Sequence, residues 1–230
     1  MTRRGMREVQ YDNCLDIAEE HGLTPLGLMT NQVWWDDPRR LVFSMARYKF
    51  VSKMFSGRRN VLEVGCGDAF GSRIVLQEVK RLTAVDFDPV FIKDIQDRMT
   101  DRWAFEARCH DILEGPVEAC AFDAIYSLDV MEHITKQDEH RYVRHIIESM
   151  TGDGAVIIGM PSLESQHYAS PPSKAGHVNC KSGGELRRTL EGYFDNVFVF
   201  SMNDEVVHTG FYPMAHYLLA LCTQPKQAEA

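Results

Sequence analysis

The amino-acid sequence predicts an α/β fold in which helices cover both faces of a doubly wound, mostly parallel sheet of seven strands. Three observations lead to this prediction. Short apolar runs alternate with helical segments, glycines follow the first run, and no helix separates the last two runs. Parallel strands need crossover helices, so the strands joined by helices should be parallel and the last two should form an antiparallel terminal hairpin.

Two N-terminal helices are predicted before the sheet. Glu8–His21 has helical periodicity, and so has Pro38–Phe55, where Pro38 suits a first helical turn. A chain of 230 residues can bury a substantial core without disulfides or metals. We therefore expect a single domain over residues 1–230, with an N-terminal helical cap at 1–58 and the sheet core at 59–230.

The alternation of strands and helices begins at Asn60–Val64, a short run that ends in glycines, and Gly71–Lys80 is the helix expected after it. Further strands are predicted at Leu82–Phe87, Trp103–Cys109, Phe122–Leu128, Gly154–Met160, Asn196–Ser201 and His216–Cys222. Helical periodicity predicts helices at Pro89–Met99, Asp138–Met150 and Gly184–Leu190. Tyr168–Asn179 is rich in Pro, Ser and Gly, which predicts a loop beside the carboxyl end of the fifth strand.

Charge and cysteine content exclude several classes of protein. The formal net charge of -8 disfavours binding to nucleic acid and to anionic membrane surfaces. The sequence has neither a recognisable signal peptide nor an apolar run of membrane-spanning length, and its six cysteines are scattered without a C-x-x-C pair. We expect a cytoplasmic protein with free thiols.

The turn after the first strand reads Glu63-Val64-Gly65-Cys66-Gly67-Asp68. Its glycines would let a ligand approach backbone N–H groups and a helix N-terminus, as in nucleotide-binding loops. A dinucleotide fingerprint would have its third glycine at position 70, where this chain has Phe70. The carboxylates of Glu63 and Asp68 would repel a pyrophosphate but attract the ammonium and sulfonium groups of S-adenosyl-L-methionine (SAM). SAM is therefore favoured, with a dinucleotide as the alternative.

Polar side chains also follow the second and third strands. Asp86 ends the second strand, where a carboxylate can accept both ribose hydroxyls of a nucleoside. Phe87 could face the adenine, Asp111 could accept its amino group, and Ile112 could cover the ring. Structural roles remain open as well, because Asp88 suits a helix N-cap and Asp111 suits a turn.

These segments resemble the class I SAM-dependent methyltransferase family. The resemblance lies in VLEVGCGDAFG, AVDFD, HDIL and FDAIYSLDVMEHI, covers about Asn60 to Met160, and extends to the closing hairpin of that family's Rossmann-like sheet. It implies a SAM-dependent methyltransferase. The expected cofactor-binding residues are Glu63, Gly65, Cys66, Gly67, Asp86, Phe87, Asp111, Ile112, Leu128 and Asp129.

A metal site is predicted at the carboxyl end of the fourth strand. Asp129, Glu132 and His133 would share one face if a helix began there, and His177 in the loop after the fifth strand could complete the set. Two carboxylates and two imidazoles suit Mg²⁺, Mn²⁺, Fe²⁺ or Zn²⁺. The alternative is structural: Asp129 caps a helix, Glu132 is solvated, and His133 is a polar residue near the cofactor.

The D-x-x-E-H pattern followed by a later His is similar to the E-x-x-E-H…H metal site of small-RNA 3′-terminal 2′-O-methyltransferases. Its first part also resembles ubiquinone-pathway O-methyltransferases, although Asp129 departs from their first Glu. The implied reaction is O-methylation, with a metal that lowers the pKa of the acceptor hydroxyl. Without a metal, His133 or His177 could act as the catalytic general base.

The expected partner is a small polar acceptor molecule, and a homodimer is left open. Alternatives are an RNA 2′-O-methyltransferase, a SAM-binding subunit without catalysis, and a dehydrogenase. The acceptor pocket is predicted between the N-terminal helices, residues 162–179 and residues 203–213. Its expected walls are Trp34, Trp35, His167, Tyr168, His208, Phe211 and Tyr212. Arg47 and Tyr48 could reach the cofactor's carboxylate, although an apolar helical stripe explains Tyr48 equally well as core.

Overall fold

The computed structural model describes residues 5–99 and 101–226, so the two ends of the predicted domain, 1–4 and 227–230, lie outside it. A 3₁₀ turn at Val9–Tyr11 leads into helix α1 (Asp12–His21), which is followed by α2 (Leu28–Asp36) and α3 (Arg39–Met54). The prediction of two N-terminal helices was wrong, because α2 was missed. The apolar residues of α2 are spread around its axis, so its sequence has no amphipathic stripe.

Eight strands form one sheet in the order β3-β2-β1-β4-β5-β8-β6-β7. The strands are β1 (Val61–Val64), β2 (Leu82–Asp86), β3 (Glu106–Cys109), β4 (Phe122–Leu128), β5 (Met150–Pro161), β6 (Phe194–Asn203), β7 (Val206–His208) and β8 (Tyr217–Pro225). The first five strands are parallel, and β8 pairs antiparallel with both β5 and β6. The predicted α/β class and the antiparallel closure are confirmed.

The strand count of seven was too low. The additional strand, β7, pairs antiparallel with the end of β6 over three residue pairs. It lies in the segment predicted as a plain connection, and the chain reverses there at Asp204, whose φ is +49°. Three residues are too few for period-2 alternation to identify a strand from sequence.

The remaining helices are α4 (Ser72–Leu76), α5 (Pro89–Arg98), α6 (Glu139–Ser149), α7 (Pro171–Gly176) and α8 (Gly183–Glu191). Helix α4 is half as long as predicted. The segment predicted as strand from Trp103 instead begins with a 3₁₀ turn at Asp101–Trp103, and Tyr168–Asn179 contains the short α7 rather than only loop. In α7, two prolines occupy the first turn and Ser170 caps it, so loop-type composition here starts a helix.

Helices pack on both faces of the sheet. The alternation along β5 shows the two layers, since Val156 and Ile158 belong to one core cluster and Ala155 and Ile157 to the other. Helices α6 and α8 bury Ile146 and Leu186 in the first cluster, whereas α3, α4 and α5 lie on the opposite face. The doubly wound prediction is therefore confirmed.

The strand order reverses between β1 and β4, which lie side by side although β2 and β3 separate them in sequence. In open α/β sheets a ligand crevice lies at the carboxyl ends of the strands at such a point. The glycine turn after β1 and the segment after β4 both begin at this edge. No helix among the described residues is long and apolar enough to cross a membrane.

Candidate functional site

The glycine turn after β1 has the backbone that its glycines predict. Gly65 and Gly67 have φ of +73° and +52°. A Cβ atom on Gly65 would lie 2.2 Å from Cγ2 of Val130, so the turn and the segment after β4 are in close contact. The Cys66 side chain is buried, and burial raises the pKa of its thiol well above the usual range. Cys66 is therefore available to a ligand through its backbone rather than as a thiolate.

The two acidic residues beside the glycine turn are occupied by other protein groups. Glu63 is buried and accepts hydrogen bonds from the hydroxyls of Tyr48, Ser72 and Tyr126. Burial raises its pKa to about 7, although the three hydroxyls oppose that shift. Asp68 accepts the backbone N–H of Thr30 at 2.7 Å and thereby holds α2 against the turn. Both carboxylates are therefore held by other protein groups, and the raised pKa of Glu63 reduces the negative charge that this residue contributes beside the turn.

Asp86 lies at the end of β2, beside the glycine turn. Its Oδ2 accepts the N–H of Gly67 at 2.9 Å, and its Oδ1 accepts the N–H of Asp88 at 2.9 Å. Each oxygen of a carboxylate has two acceptor sites, so each keeps one for a ligand. Phe87 is 70% exposed at this edge.

The residues after β3 lie at the same carboxyl edge of the sheet as Asp86, and they make structural contacts there. Asp111 accepts the N–H of Leu113 at 2.8 Å, which is the turn role left open above. Ile112 is buried in the core, and its carbonyl accepts a hydrogen bond from His145. Asp88 accepts the N–H of Val90 and caps α5, as its structural interpretation predicted.

The expected helix after β4 does not begin at Asp129. Asp129 has φ of +57°, a left-handed conformation that interrupts the chain, and only Met131–His133 form a 3₁₀ turn. Asp129 Oδ2 accepts a hydrogen bond from Arg47 Nη1 at 2.7 Å. The prediction that Asp129 and Glu132 share a helical face was wrong, and the alternative of Asp129 as a helix cap was wrong as well, because Val130 occupies that position.

Glu132, His133 and His177 come together as a three-residue cluster, in which one potential ligand atom from each lies within 4.8 Å of the others. The two imidazole rings have centroids 5.1 Å apart. Glu132 is 1% exposed, not solvated as the structural alternative held, and its Oε2 has no hydrogen-bond partner among the described residues. Burial, followed by the nearby charge of Asp129, raises the pKa of Glu132.

The loop after β5 is tied to this cluster by backbone hydrogen bonds. The carbonyl of Glu132 accepts the N–H groups of Val178 and Asn179 at 2.8 and 3.0 Å. His133 Nδ1 lies 2.9 Å from the Gly176 carbonyl, and His177 Nδ1 lies 2.7 Å from Gln166 Oε1. When Nδ1–H donates to these oxygens, the neutral ring presents the lone pair of Nε2. Sequence reasoning missed Gln166 and Gly176, because neither carries a recognisable motif.

Most of the side chains predicted as aromatic walls are open to solvent or engaged elsewhere. Trp35, Tyr168 and Phe211 are 86%, 87% and 70% exposed, and more than half of Trp34 is exposed. Tyr212 instead packs against the core below α8, and His208 hydrogen-bonds Asn203 at the β6–β7 hairpin. Tyr48 fills the role of a core residue beneath the glycine turn, while Arg47 binds Asp129.

Comparisons with known proteins agree with this geometry. Residues 61–154, which contain the glycine turn, Asp86, Asp111 and the Glu132–His133 pair, match the model of a family described as a methyltransferase domain. In fold, the chain is similar to the N-methyltransferase NodS from Bradyrhizobium japonicum, solved with S-adenosyl-L-homocysteine (SAH). The TM-score is 0.61 at 20% identity, over 84% of this chain and 91% of NodS. The predicted methyltransferase type of Rossmann-like sheet is confirmed, with eight strands in place of seven.

Two curated relatives have lower coverage. A probable S-adenosylmethionine-dependent methyltransferase of Mycobacterium tuberculosis is 26% identical over 104 residues, which are 45% of this chain and 36% of the relative. The mitochondrial ubiquinone biosynthesis O-methyltransferase of Schizosaccharomyces pombe is 22% identical over 170 residues, which are 69% of this chain and 60% of the relative. The chain thus spans less than two thirds of the length of either. Together these comparisons support the resemblance to class I SAM-dependent methyltransferases.

Proposed function

We propose that this chain is a SAM-dependent methyltransferase that methylates a hydroxyl of a small polar acceptor, with a divalent metal ion bound by Glu132, His133 and His177. The observation that carries the O-methylation part is the cluster itself, with its buried carboxylate oxygen that lacks a described partner. The methyltransferase part is supported by the family match over residues 61–154. The proposed compartment is the cytoplasm, which agrees with six free cysteines.

The proposed cofactor site follows the carboxyl edge of β1, β2 and β3. Gly65 and Gly67 permit the left-handed turn whose backbone SAM would approach. Asp86 would accept the ribose hydroxyls with the acceptor sites that its two backbone contacts leave open. The exposed ring of Phe87 is available to cover the adenine, and Asp111 would accept the amino group. The raised pKa of Glu63 reduces its negative charge, so the electrostatic preference for a cationic cofactor depends on the remaining carboxylates of Asp68, Asp86 and Asp111.

The residues of the cluster fit a divalent metal ion. One carboxylate and two imidazoles are ordinary ligands of Mn²⁺, Fe²⁺ and Zn²⁺. The hydrogen bonds to Gly176 and Gln166 orient both rings through Nδ1, as outer contacts commonly do for ligating histidines. Asp129 is held by Arg47 and is not needed for the set. A bound ion would lower the pKa of an acceptor hydroxyl.

The chain's own contribution to the reaction is alignment and proton handling. The sulfonium already activates the methyl group, so the protein must place the acceptor oxygen in line with it and exclude water. Without a metal ion, Nε2 of His133 or His177 could receive the acceptor proton when the other nitrogen of that ring donates to its carbonyl or amide oxygen. With an ion bound, both Nε2 atoms would be ligands, and the proton of the acidified hydroxyl would pass to water. Cys66 stays protonated and takes no chemical part.

Calorimetry with SAM, SAH and NAD tests the cofactor assignment. We expect SAM and SAH to bind and NAD to give no heat; binding of NAD alone would overturn the assignment in favour of a dehydrogenase. A transfer assay with small hydroxyl compounds and with short RNA, each with and without Mn²⁺, separates the two O-methylation candidates. A cofactor-binding protein that methylates neither would instead be a SAM-binding subunit.

A titration with Mn²⁺ tests the metal part separately. Glu132→Gln removes the charged ligand and should weaken Mn²⁺ binding about tenfold or more. Glu148→Gln is the matched control, because Glu148 is an exposed glutamate near the end of the neighbouring α6. Equal Mn²⁺ affinity in both variants would remove Glu132 from the metal site.

A further inference from the structure

A cavity of about 580 Å³ opens beside the Glu132–His133–His177 cluster. Its walls come from the turn before α6 and the first residue of that helix, from the segment between β5 and α8, and from α8 itself. His177 belongs both to the cavity wall and to the cluster. A ligand in the cavity can therefore contact His177, one of the three cluster residues, and the volume suits a small molecule.

The cavity wall is cationic although the protein as a whole is acidic. Its charged side chains are Lys136, Lys174, Lys181, Arg188, Glu139 and Glu185. Glu139 pairs with Lys181 at 2.7 Å, whereas Glu185 accepts hydrogen bonds from Ser182 in the capping box of α8 and remains a negative charge near Arg188. The four cations of the wall therefore outnumber its two carboxylates. Lys136, Lys174 and Arg188 form no ion pair with a described residue. An unneutralised positive wall remains, which attracts an anionic group.

The ammonium group of Lys181 is held in a fixed position in this wall. It is only 7% exposed, and its ammonium contacts Glu139 Oε2 and Asn179 Oδ1 at 2.7 and 3.2 Å. Asn179 also donates to the same carboxylate oxygen of Glu139 at 2.7 Å, so the three side chains hold one another in place. An ammonium has three N–H donors, which leaves one for a ligand.

We propose that this cavity binds the anionic part of the methyl acceptor and that the acceptor is a small molecule carrying a phosphate group. This inference rests on the proposed methyltransferase function and names its substrate class. The phosphate contacts Lys136, Arg188 and the free donor of Lys181, while the hydroxyl to be methylated extends past His177 to the cluster. A small molecule fits better than RNA, because the net charge of -8 repels a polyanion outside this local wall.

The test uses calorimetric titrations of the SAH-loaded protein in sulfate-free buffer. Ribose 5-phosphate is compared with ribose, and inorganic phosphate is compared with a blank injection of the same buffer. The variant K136A/R188A removes two exposed cations from the wall, and K49A/R59A removes two exposed cations elsewhere. We expect ribose 5-phosphate and phosphate to bind the wild type and the control alike. K136A/R188A should bind both about tenfold more weakly, because two charge-assisted contacts to the phosphate are lost at exposed positions where water competes for them. Ribose should bind all three weakly and equally.

Three results would overturn the inference. The first is that phosphate does not bind at millimolar concentration, and the second is that the two double variants lose affinity for phosphate equally. The third is that a short RNA binds more tightly than ribose 5-phosphate and that K136A/R188A no longer binds this RNA. The last result would assign the wall to nucleic acid. SAH affinity, measured first on each protein, reports on the proposed cofactor function by itself. A wild type that fails to bind SAH contradicts the methyltransferase proposal, whereas a wild type that binds SAH but not phosphate contradicts only the cavity's role.

Discussion

Arg47 on α3 crosses to the end of β4 and donates a hydrogen bond from Nη1 to Oδ2 of Asp129 at 2.7 Å. The same guanidinium lies 3.7 Å from the centroid of the Tyr217 ring on β8. Arg47 thus joins the helical segment before the sheet to two strands at the edge where the candidate site lies. It also holds Asp129 in the ion pair, which explains why this carboxylate lies outside the histidine cluster.

Replacing Arg47 with methionine should reduce the free energy of unfolding by about 2 kcal/mol, because the ion pair and the cation–π contact are lost while the buried stem is kept. Asp129 is 42% exposed, so water screens part of the ion-pair contribution. Urea denaturation measures the change. Arg59→Met, at an exposed position before β1, is the control and should change stability by less than about 0.5 kcal/mol. A loss equally small in Arg47→Met would show that neither contact stabilises the fold.

Two neighbouring aspartates should separate cofactor binding from folding. Asp86→Asn removes the charge that would accept the ribose hydroxyls and one of the two oxygens that accept the N–H groups of Gly67 and Asp88, so SAH affinity should fall about tenfold or more. Asp88→Ala removes the N-cap of α5 and should cost about 1 kcal/mol of stability while SAH affinity stays unchanged. Calorimetry and thermal denaturation of both variants are compared. The reverse pattern, with SAH affinity lost only in Asp88→Ala, would contradict the site.

The strands of the sheet and most residues at its carboxyl edge could be predicted from the sequence. The partners of individual side chains could be predicted less well. The strands β1, β4 and β5 are buried apolar runs, and a parallel order follows from the helices between them. The positions of Asp86, His133 and His177 at one edge follow from that order. Asp129 contacts Arg47, and Asp68 contacts Thr30, because of the way the N-terminal helices pack against the sheet. Docking is decided by tertiary contacts that no local pattern encodes.

The conformation of Gly65 predicts a steep cost for any side chain. Gly65→Ala forces a residue with a Cβ atom to φ of +73° and places that atom 2.2 Å from Cγ2 of Val130. We expect a loss of about 3 kcal/mol in unfolding free energy, part from backbone strain and part from the clash. Val130→Ala removes the clashing methyl, so Gly65→Ala should cost less in that background. Gly115→Ala is the control, since a Cβ there meets nothing within 4 Å.

The cost of Gly65→Ala in unfolding free energy is compared between the wild type and the Val130→Ala background. Equal costs in the two backgrounds would show that the clash with Val130 is not the cause. Such a result would leave backbone strain as the whole penalty. Chemical denaturation of the four proteins supplies this comparison directly.

The buried carboxyl of Glu63 should make the free energy of unfolding depend on pH between about 4.5 and 7. A single substitution of Glu63 should remove this dependence. Burial raises its pKa from 4.5 to about 7, so the folded protein binds this proton more tightly than the unfolded chain does. Protonation therefore favours folding, and the contribution of Glu63 to the free energy of unfolding should decrease as pH rises from 4.5 to 7, by at most about 3.4 kcal/mol. Above pH 7 the loss is complete and constant.

Glu63→Gln keeps an acceptor for the hydroxyls of Tyr48, Ser72 and Tyr126 without a titrating group. The unfolding free energies of the two proteins should thus converge near pH 4.5 and diverge toward pH 7, with the variant the more stable at neutral pH. Denaturation at half-unit steps of pH measures the difference, in which the other titrating groups cancel because they are common to both proteins. A difference that does not change across this window would mean that Glu63 is ionised in the folded state at acidic pH, held so by its three hydroxyl donors, which would restore the negative charge beneath the glycine turn.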